Sequence, residues 1–143
     1  MEESIRKVFE TDPPRAEIWP VLTLAYVGDS VFELMLRTAF AEQHIDKGNA
    51  LNARVQQYSA ARGQAKMALR IQPLLTEEEA AVYRRGRNAH PESVSRHASL
   101  SEYHKATGLE ALLGYLYLTG RIGRAAEIVK AGIQDGENTE ENS

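Results

Sequence analysis

The stretch Val21-Leu-Thr-Leu-Ala-Tyr-Val-Gly-Asp-Ser-Val-Phe-Glu-Leu-Met-Leu36 decides the fold class. It is apolar on most sides and too long for a single strand, which predicts a central buried helix running from about Pro20 to about Ala41. Asp29 stands inside this helix, directly after Gly28. A buried lone carboxylate is costly unless a cation or strong hydrogen-bond donors accompany it, so Asp29 is the first candidate functional residue.

The remaining sequence also predicts helices joined by turns, with no convincing strand, and the fold class is therefore all-α. Thr76, followed by three glutamates, has the pattern of a helix start with a capping box. A polar loop is expected over 88–99, and the last two helices are expected to end near Leu118 and Ile133. We expect one domain over residues 1–134, followed by an acidic, disordered tail at 135–143.

Composition limits the function classes. The 143 residues include no cysteine, which excludes disulfides, thiol catalysis and cysteine-ligated zinc. No apolar stretch is long enough to span a bilayer and the N-terminus does not resemble a signal peptide, so we expect a cytoplasmic protein that does not contact membranes. The net charge is −3, but residues 18–134 carry 14 bases and 11 acids, which permits a phosphate-binding face.

Glu110, like Asp29, is an acid inside a predicted apolar helix. It lies between Gly108 and Gly114 in the second most apolar helix. Two apolar helices that each carry one acid beside a glycine suggest two carboxylates facing each other across a helix crossing. Such a pair, completed by water, suits Mg²⁺, with Mn²⁺ as a substitute. Spacing alone favours a plainer alternative, in which each acid pairs with an arginine or caps a backbone group.

Glu33 lies one helical turn after Asp29. Two interpretations stay open for it: a third acid that reaches the metal through water, or a partner for Arg37, one further turn along.

The densest basic cluster is Tyr83-Arg-Arg-Gly-Arg-Asn-Ala-His90. Gly86 within it indicates a helix end or bend where the arginines fan out. With His104 and Lys105, this cluster suits contacts to phosphates and sugar hydroxyls of a duplex, although a solvated helix end explains it equally well. A zinc site built from His90, His97 and His104 is not favoured, because Pro91 and its polar neighbours predict an irregular loop.

Two segments carry a resemblance to a known family. Leu24-Ala-Tyr-Val-Gly-Asp-Ser-Val-Phe-Glu-Leu34 resembles the first acidic signature of ribonuclease III catalytic domains, and Ala106-Thr-Gly-Leu-Glu-Ala-Leu-Leu-Gly-Tyr-Leu-Tyr-Leu118 resembles the second. The string from Tyr83 to Ala89 is similar to the Mini-ribonuclease III branch, which lacks an appended RNA-binding domain. The chain ends soon after its last predicted helix, so no such domain is expected here.

The resemblance implies roles for particular residues. Asp29 and Glu110 would be the catalytic, metal-holding carboxylates. Two further acids of full-length family members are replaced here by Ala25 and Thr107, which implies a site with two direct ligands and leaves Thr107, like Glu33, as an outer-sphere candidate. The residues expected to contact RNA are Arg84, Arg85, Arg87, Asn88, His104 and Lys105.

The family also implies the reaction. We expect a homodimeric, metal-dependent endoribonuclease that cuts double-stranded RNA, leaves 5′-phosphates and trims precursor large-subunit (23S) ribosomal RNA, with ribosomal proteins as further candidate partners. The alternative from another class is a non-catalytic RNA-binding or ribosome-associated module that kept the fold. A purely structural helical dimer would leave the two acids unexplained. For the dimer surface, the apolar helix Val21–Phe40 is the candidate.

Overall fold

A computed structural model describes residues 1–43, 48–89 and 99–141, with side chains described up to residue 133 in the last helix. These residues form α-helices, two short 3₁₀ segments (Ala16–Ile18 and Gln72–Leu74) and no strand, which confirms the all-α prediction. The helices are α1 (Glu2–Phe9), α2 (Val21–Gln43), α3 (Gly48–Ser59), α4 (Ala61–Ile71), α5 (Glu77–Arg87), α6 (Leu100–Leu118) and α7 (Ile122–Glu141).

The centre of the fold is α6, which packs against α2, α4, α5 and α7. Ten of its residues are buried, and they point in nearly every direction around the helix, as expected of a helix enclosed by others. The prediction that α2 is the central buried helix is therefore wrong. Leu22, Tyr26 and Leu34 of α2 are exposed, because α2 packs on α6 with one face and leaves another open.

The start of α5 follows the prediction. Thr76 Oγ1 accepts a hydrogen bond from the Glu79 amide at 3.2 Å, and the Glu79 carboxylate accepts one from the Thr76 amide at 2.9 Å. This reciprocal capping box satisfies amides that the first turn leaves without a helical partner. The buried Glu79 carboxylate also receives two hydrogen bonds from Arg124 of α7, at 2.8 and 2.9 Å, which ties the start of α5 to the start of α7.

The C-terminal part of the chain departs from the prediction in one respect. α6 ends at Leu118 as expected, and Gly120 follows it with a φ of 79°, a left-handed conformation that glycine adopts without strain. α7 then continues past the expected end at Ile133, to Glu141. The division of the chain at residue 134 stays a prediction. Within the described residues, no helix is both long and apolar enough to cross a membrane.

Candidate active site

Two glycines bring α2 and α6 into backbone contact. A Cβ on Gly28 would overlap the backbone carbonyl of Glu110 and lie 2.8 Å from the Gly114 nitrogen. A Cβ on Gly114 would in turn overlap the carbonyl of Leu24. The expectation that these glycines allow close helix packing is met, and the crossing places the residues beside them within reach of each other.

Asp29 and Glu110 meet at the rim of this crossing. The protonated carboxyl of Glu110 donates a hydrogen bond to Asp29; burial, then this bond and the negative charge of Asp29, raise the pKa of Glu110 to about 8. Glu110 is partly buried, but Asp29 is exposed, so the prediction of two buried acids is wrong for Asp29. Asp29 is one residue beyond Gly28 and so points about 100° away from the contact, towards solvent.

Within the part of the chain that the structure describes, no third carboxylate joins this pair. Among the described residues, no three histidine or acidic side chains come together as a metal-holding group. Glu33 instead accepts a hydrogen bond from Arg37 at 2.9 Å, which agrees with its interpretation as a partner for Arg37. The buried Thr107 hydroxyl donates to the Tyr103 carbonyl at 3.0 Å, so its proton is already committed within α6.

The Asp29–Glu110 pair has the chemistry that a divalent cation requires. Two carboxylates that share a proton repel each other once that proton leaves, and a cation between them removes the repulsion. Mg²⁺ binds through one or two protein carboxylates and keeps several waters, so two ligands with Asp29 open to solvent fit its coordination habits.

A second glycine contact joins α5 to α6. A Cβ on Gly86 would lie 2.9 Å from the Gly108 Cα, and a Cβ on Gly108 would lie 2.8 Å from the Tyr83 ring. The helix continues through Gly86 and ends at Arg87. Gly86 therefore lies near a helix end, one of the two predicted alternatives, and does not mark a bend. Its lack of a side chain lets the end of α5 lie directly on α6.

This contact brings part of the predicted basic face together. Arg87 and Asn88 of the α5 end, with His104 and Lys105 of α6, line one groove of about 470 Å³. Ser101 also lines this groove, a position that was not predicted, although its place one turn before Lys105 could have indicated it.

The other predicted RNA contacts lie elsewhere on α5. Neither Arg84 nor Arg85 lines the groove. Arg84 is exposed, and Arg85 donates to the Trp19 carbonyl at 3.4 Å. His90 and His97 lie outside the described residues.

Comparison with known proteins gives the family. Residues 22–121 match the Ribonuclease III domain model. The chain is 41% identical over 112 residues to Mini-ribonuclease 3 of Symbiobacterium thermophilum, covering 78% of this chain and 86% of that protein. It is 40% identical over 119 residues to Mini-ribonuclease 3 of Brevibacillus brevis, covering 82% of this chain and 89% of that protein.

A solved structure agrees with these relatives. A crystal structure of a Fusobacterium nucleatum protein superposes with a TM-score of 0.74 at 28% identity, over 83% of this chain and 95% of that one. Residues 22–121, which match the family model, contain both glycine crossings and the Asp29–Glu110 pair. The chain therefore belongs to the ribonuclease III family, in its Mini-ribonuclease III branch, and is an endoribonuclease.

Proposed function

We propose that this endoribonuclease cleaves double-stranded RNA with a divalent metal ion, Mg²⁺ or in its place Mn²⁺, held by Asp29 and Glu110. The observation that carries the proposal is the hydrogen-bonded carboxylate pair at the rim of the α2–α6 crossing. Glycine contacts fix the backbone beneath both acids, so their geometry is set before any substrate arrives.

Each acid has its own part in the mechanism. Burial and the neighbouring Asp29 raise the pKa of Glu110 to about 8, so a protonated Glu110 lowers the negative charge of the pair. As a carboxylate, Glu110 would be a ligand for a divalent cation. Asp29 is exposed and keeps one side of the site open to a phosphodiester. The metal, when bound, supplies water activation and stabilises the charge that develops on the phosphate.

The basic groove beside α5 is the proposed binding site for the RNA backbone. Arg87, Asn88, His104 and Lys105 present donors to phosphate and ribose oxygens along one surface. Arg84 and Arg85 are proposed to extend this contact along α5. Glu33 and Thr107 are assigned no RNA contact; any outer-sphere role for them requires that their present hydrogen bonds rearrange.

Further features of the proposal follow from the branch. Cleavage is proposed to leave 5′-phosphates, and precursor 23S ribosomal RNA in the cytoplasm is the proposed natural substrate, with ribosomal proteins as candidate partners. Two copies are proposed to act together, one per strand. The exposed apolar side chains of α2, namely Leu22, Tyr26 and Leu34, support a homodimer that covers part of this helix.

One experiment separates the enzyme from a non-catalytic RNA-binding module. The unmodified protein is incubated with a perfect RNA duplex and, in parallel, with each single strand, in Mg²⁺ and after chelation. We expect cleavage of the duplex only, with Mg²⁺ only, giving 5′-phosphate ends. Tight duplex binding without cleavage would favour the module, and equal cleavage of the single strands would contradict duplex specificity.

A further inference from the structure

A second polar groove lies where the end of α3 meets the start of α4. Its volume is about 290 Å³. Its lining residues include no carboxylate; they are Gln56, Gln57, Tyr58, Ala60, Arg62, Gly63, Lys66 and Arg70. None of them belongs to the Asp29–Glu110 pair or to the Arg87 groove, so this is a separate surface.

Three bases of α4 lie along this groove at four-residue intervals. Arg62, Lys66 and Arg70 therefore project from one side of the helix, in a row about 12 Å long. Arg62 and Lys66 are exposed, and neither forms an ion pair with any residue in the described ranges. Arg70 donates to the Gly132 carbonyl at 3.2 Å, which fixes the end of the row against α7.

The backbone beneath the row is tightly packed. A Cβ on Gly63 would overlap the carbonyl of Gln57 and lie 3.0 Å from the Tyr58 Cα, so the two helix ends are held tightly together. The first turn of α4 has no acidic side chain and its N-cap, Ala60, has no side-chain acceptor. The end of α3, which carries partial negative charge, abuts this turn, so the positive charge of the groove comes from the Arg62 and Lys66 side chains.

We propose that this α3–α4 groove is a second contact surface for the phosphodiester backbone of duplex RNA. The inference rests on the proposed function. A polyanion with hydroxyl groups fits better than an acidic protein surface, because Gln56 and Gln57 supply amide donors and acceptors suited to ribose and phosphate oxygens beside the two charges. The contact is to the sugar-phosphate backbone, so it does not distinguish one base sequence from another.

The test measures duplex binding by fluorescence anisotropy over a range of salt concentrations, with metal chelated to prevent cleavage. The variants are R62A/K66A, a matched control Lys7→Ala, and R87A as a probe of the first groove. Lys7 is an exposed base of α1 whose surface also contains Glu3, Glu10 and Asp12. Thermal unfolding checks that each variant keeps the fold, as expected for exposed side chains.

We expect R62A/K66A to weaken binding several-fold and to lower the magnitude of the salt slope by about 1 for each charge removed, while Lys7→Ala changes neither. An unchanged slope in R62A/K66A, with a reduced one in R87A, would overturn this inference and leave the proposed function standing. An equal loss of affinity in Lys7→Ala would overturn the inference, because it would show that removing any exposed positive charge weakens binding. Failure of the unmodified protein to bind duplex would overturn both.

Discussion

Gly28 and Gly114 face each other where α2 crosses α6, and a Cβ on Gly28 would lie 2.8 Å from the Gly114 backbone nitrogen. We predict that Gly28→Ala and Gly114→Ala each destabilise the protein by about 1–3 kcal/mol or more, because the obstructing atoms are backbone and cannot rotate away. The altered crossing should also reduce cleavage by separating the two acids. Chemical denaturation and single-turnover cleavage measure the two effects.

Gly123→Ala is the matched control for these glycine variants. Gly123 lies in α7, and nothing stands within 4 Å of the position its Cβ would take. The same substitution there should leave stability unchanged or raise it by up to about 1 kcal/mol, since alanine favours helix. Equal losses at all three positions would show that close packing at the crossing is not the cause.

The raised pKa of Glu110 makes the stability of the metal-free protein depend on pH. Its pKa is about 8 in the folded state and near 4.5 when the chain is unfolded, so the folded state holds the extra proton between these values. Its contribution to the free energy of unfolding is therefore complete at low pH and declines as pH rises from about 4.5 to 8. Glu110→Gln removes this decline.

The measurement is the melting temperature from pH 5 to pH 9 with metal chelated, taken as the difference between the unmodified protein and Glu110→Gln. Glu33→Gln serves as the control, because Glu33 pairs with Arg37 at the surface and is not part of the carboxylate pair. A difference curve that is flat across this range would contradict the shared proton between Glu110 and Asp29.

The ion pair between Glu79 and Arg124 joins the start of α5 to α7. Glu79 is buried, and the hydrogen bonds from Arg124 hold its pKa below the ordinary value. We predict that Glu79→Gln costs about 2–3 kcal/mol, below the range for fully buried pairs because the Arg124 side chain is partly exposed. The exposed Arg37–Glu33 pair should be worth no more than about 0.5 kcal/mol, so Glu33→Gln is again the matched control. Similar losses at both sites in urea unfolding would contradict this ranking.

The groove beside α5 should set part of the RNA affinity. Arg87→Ala and Lys105→Ala are each expected to lower the magnitude of the salt slope of duplex binding by about 1, since each removes one proposed phosphate contact. Arg37→Ala removes a charge that already pairs with Glu33, and is expected to leave the slope unchanged. A salt slope that neither Arg87→Ala nor Lys105→Ala changes would contradict RNA binding at this groove.

The sequence predicted the helices well, because periodicity and caps are local signals. For the two acids, spacing alone favoured separate partners, and it was the family resemblance that favoured a facing pair. Thr76 starts α5 as predicted, and Gly28 and Gly114 make the close contact expected of them. The exposure of Asp29 was not predictable in this way. An apolar helix is consistent with burial on all sides, and only the arrangement of the other helices decides which face of α2 remains open.

The basic face shows the same limit. The arginines around Gly86 were visible as a cluster in the sequence. Their partners on α6 were not, because Gly86 packs on Gly108, which is distant in sequence. This packing places Arg87 with Lys105 in one groove and leaves Arg84 outside its lining. The basic row of α4 shows the reverse: its four-residue spacing is visible in the sequence, but its shared groove with Gln56 becomes evident only in three dimensions.

Asp29 and Glu110 are proposed to act together on one metal-dependent step. The most direct test of this proposal is single-turnover cleavage of an RNA duplex in Mg²⁺ by the unmodified protein, Asp29→Asn, Glu110→Gln and the double variant. Residues that act as a unit show non-additive losses, so we predict that each single variant falls to the same low rate as the double variant. Substantial cleavage by either single variant, or losses that add in the double variant, would contradict the proposal.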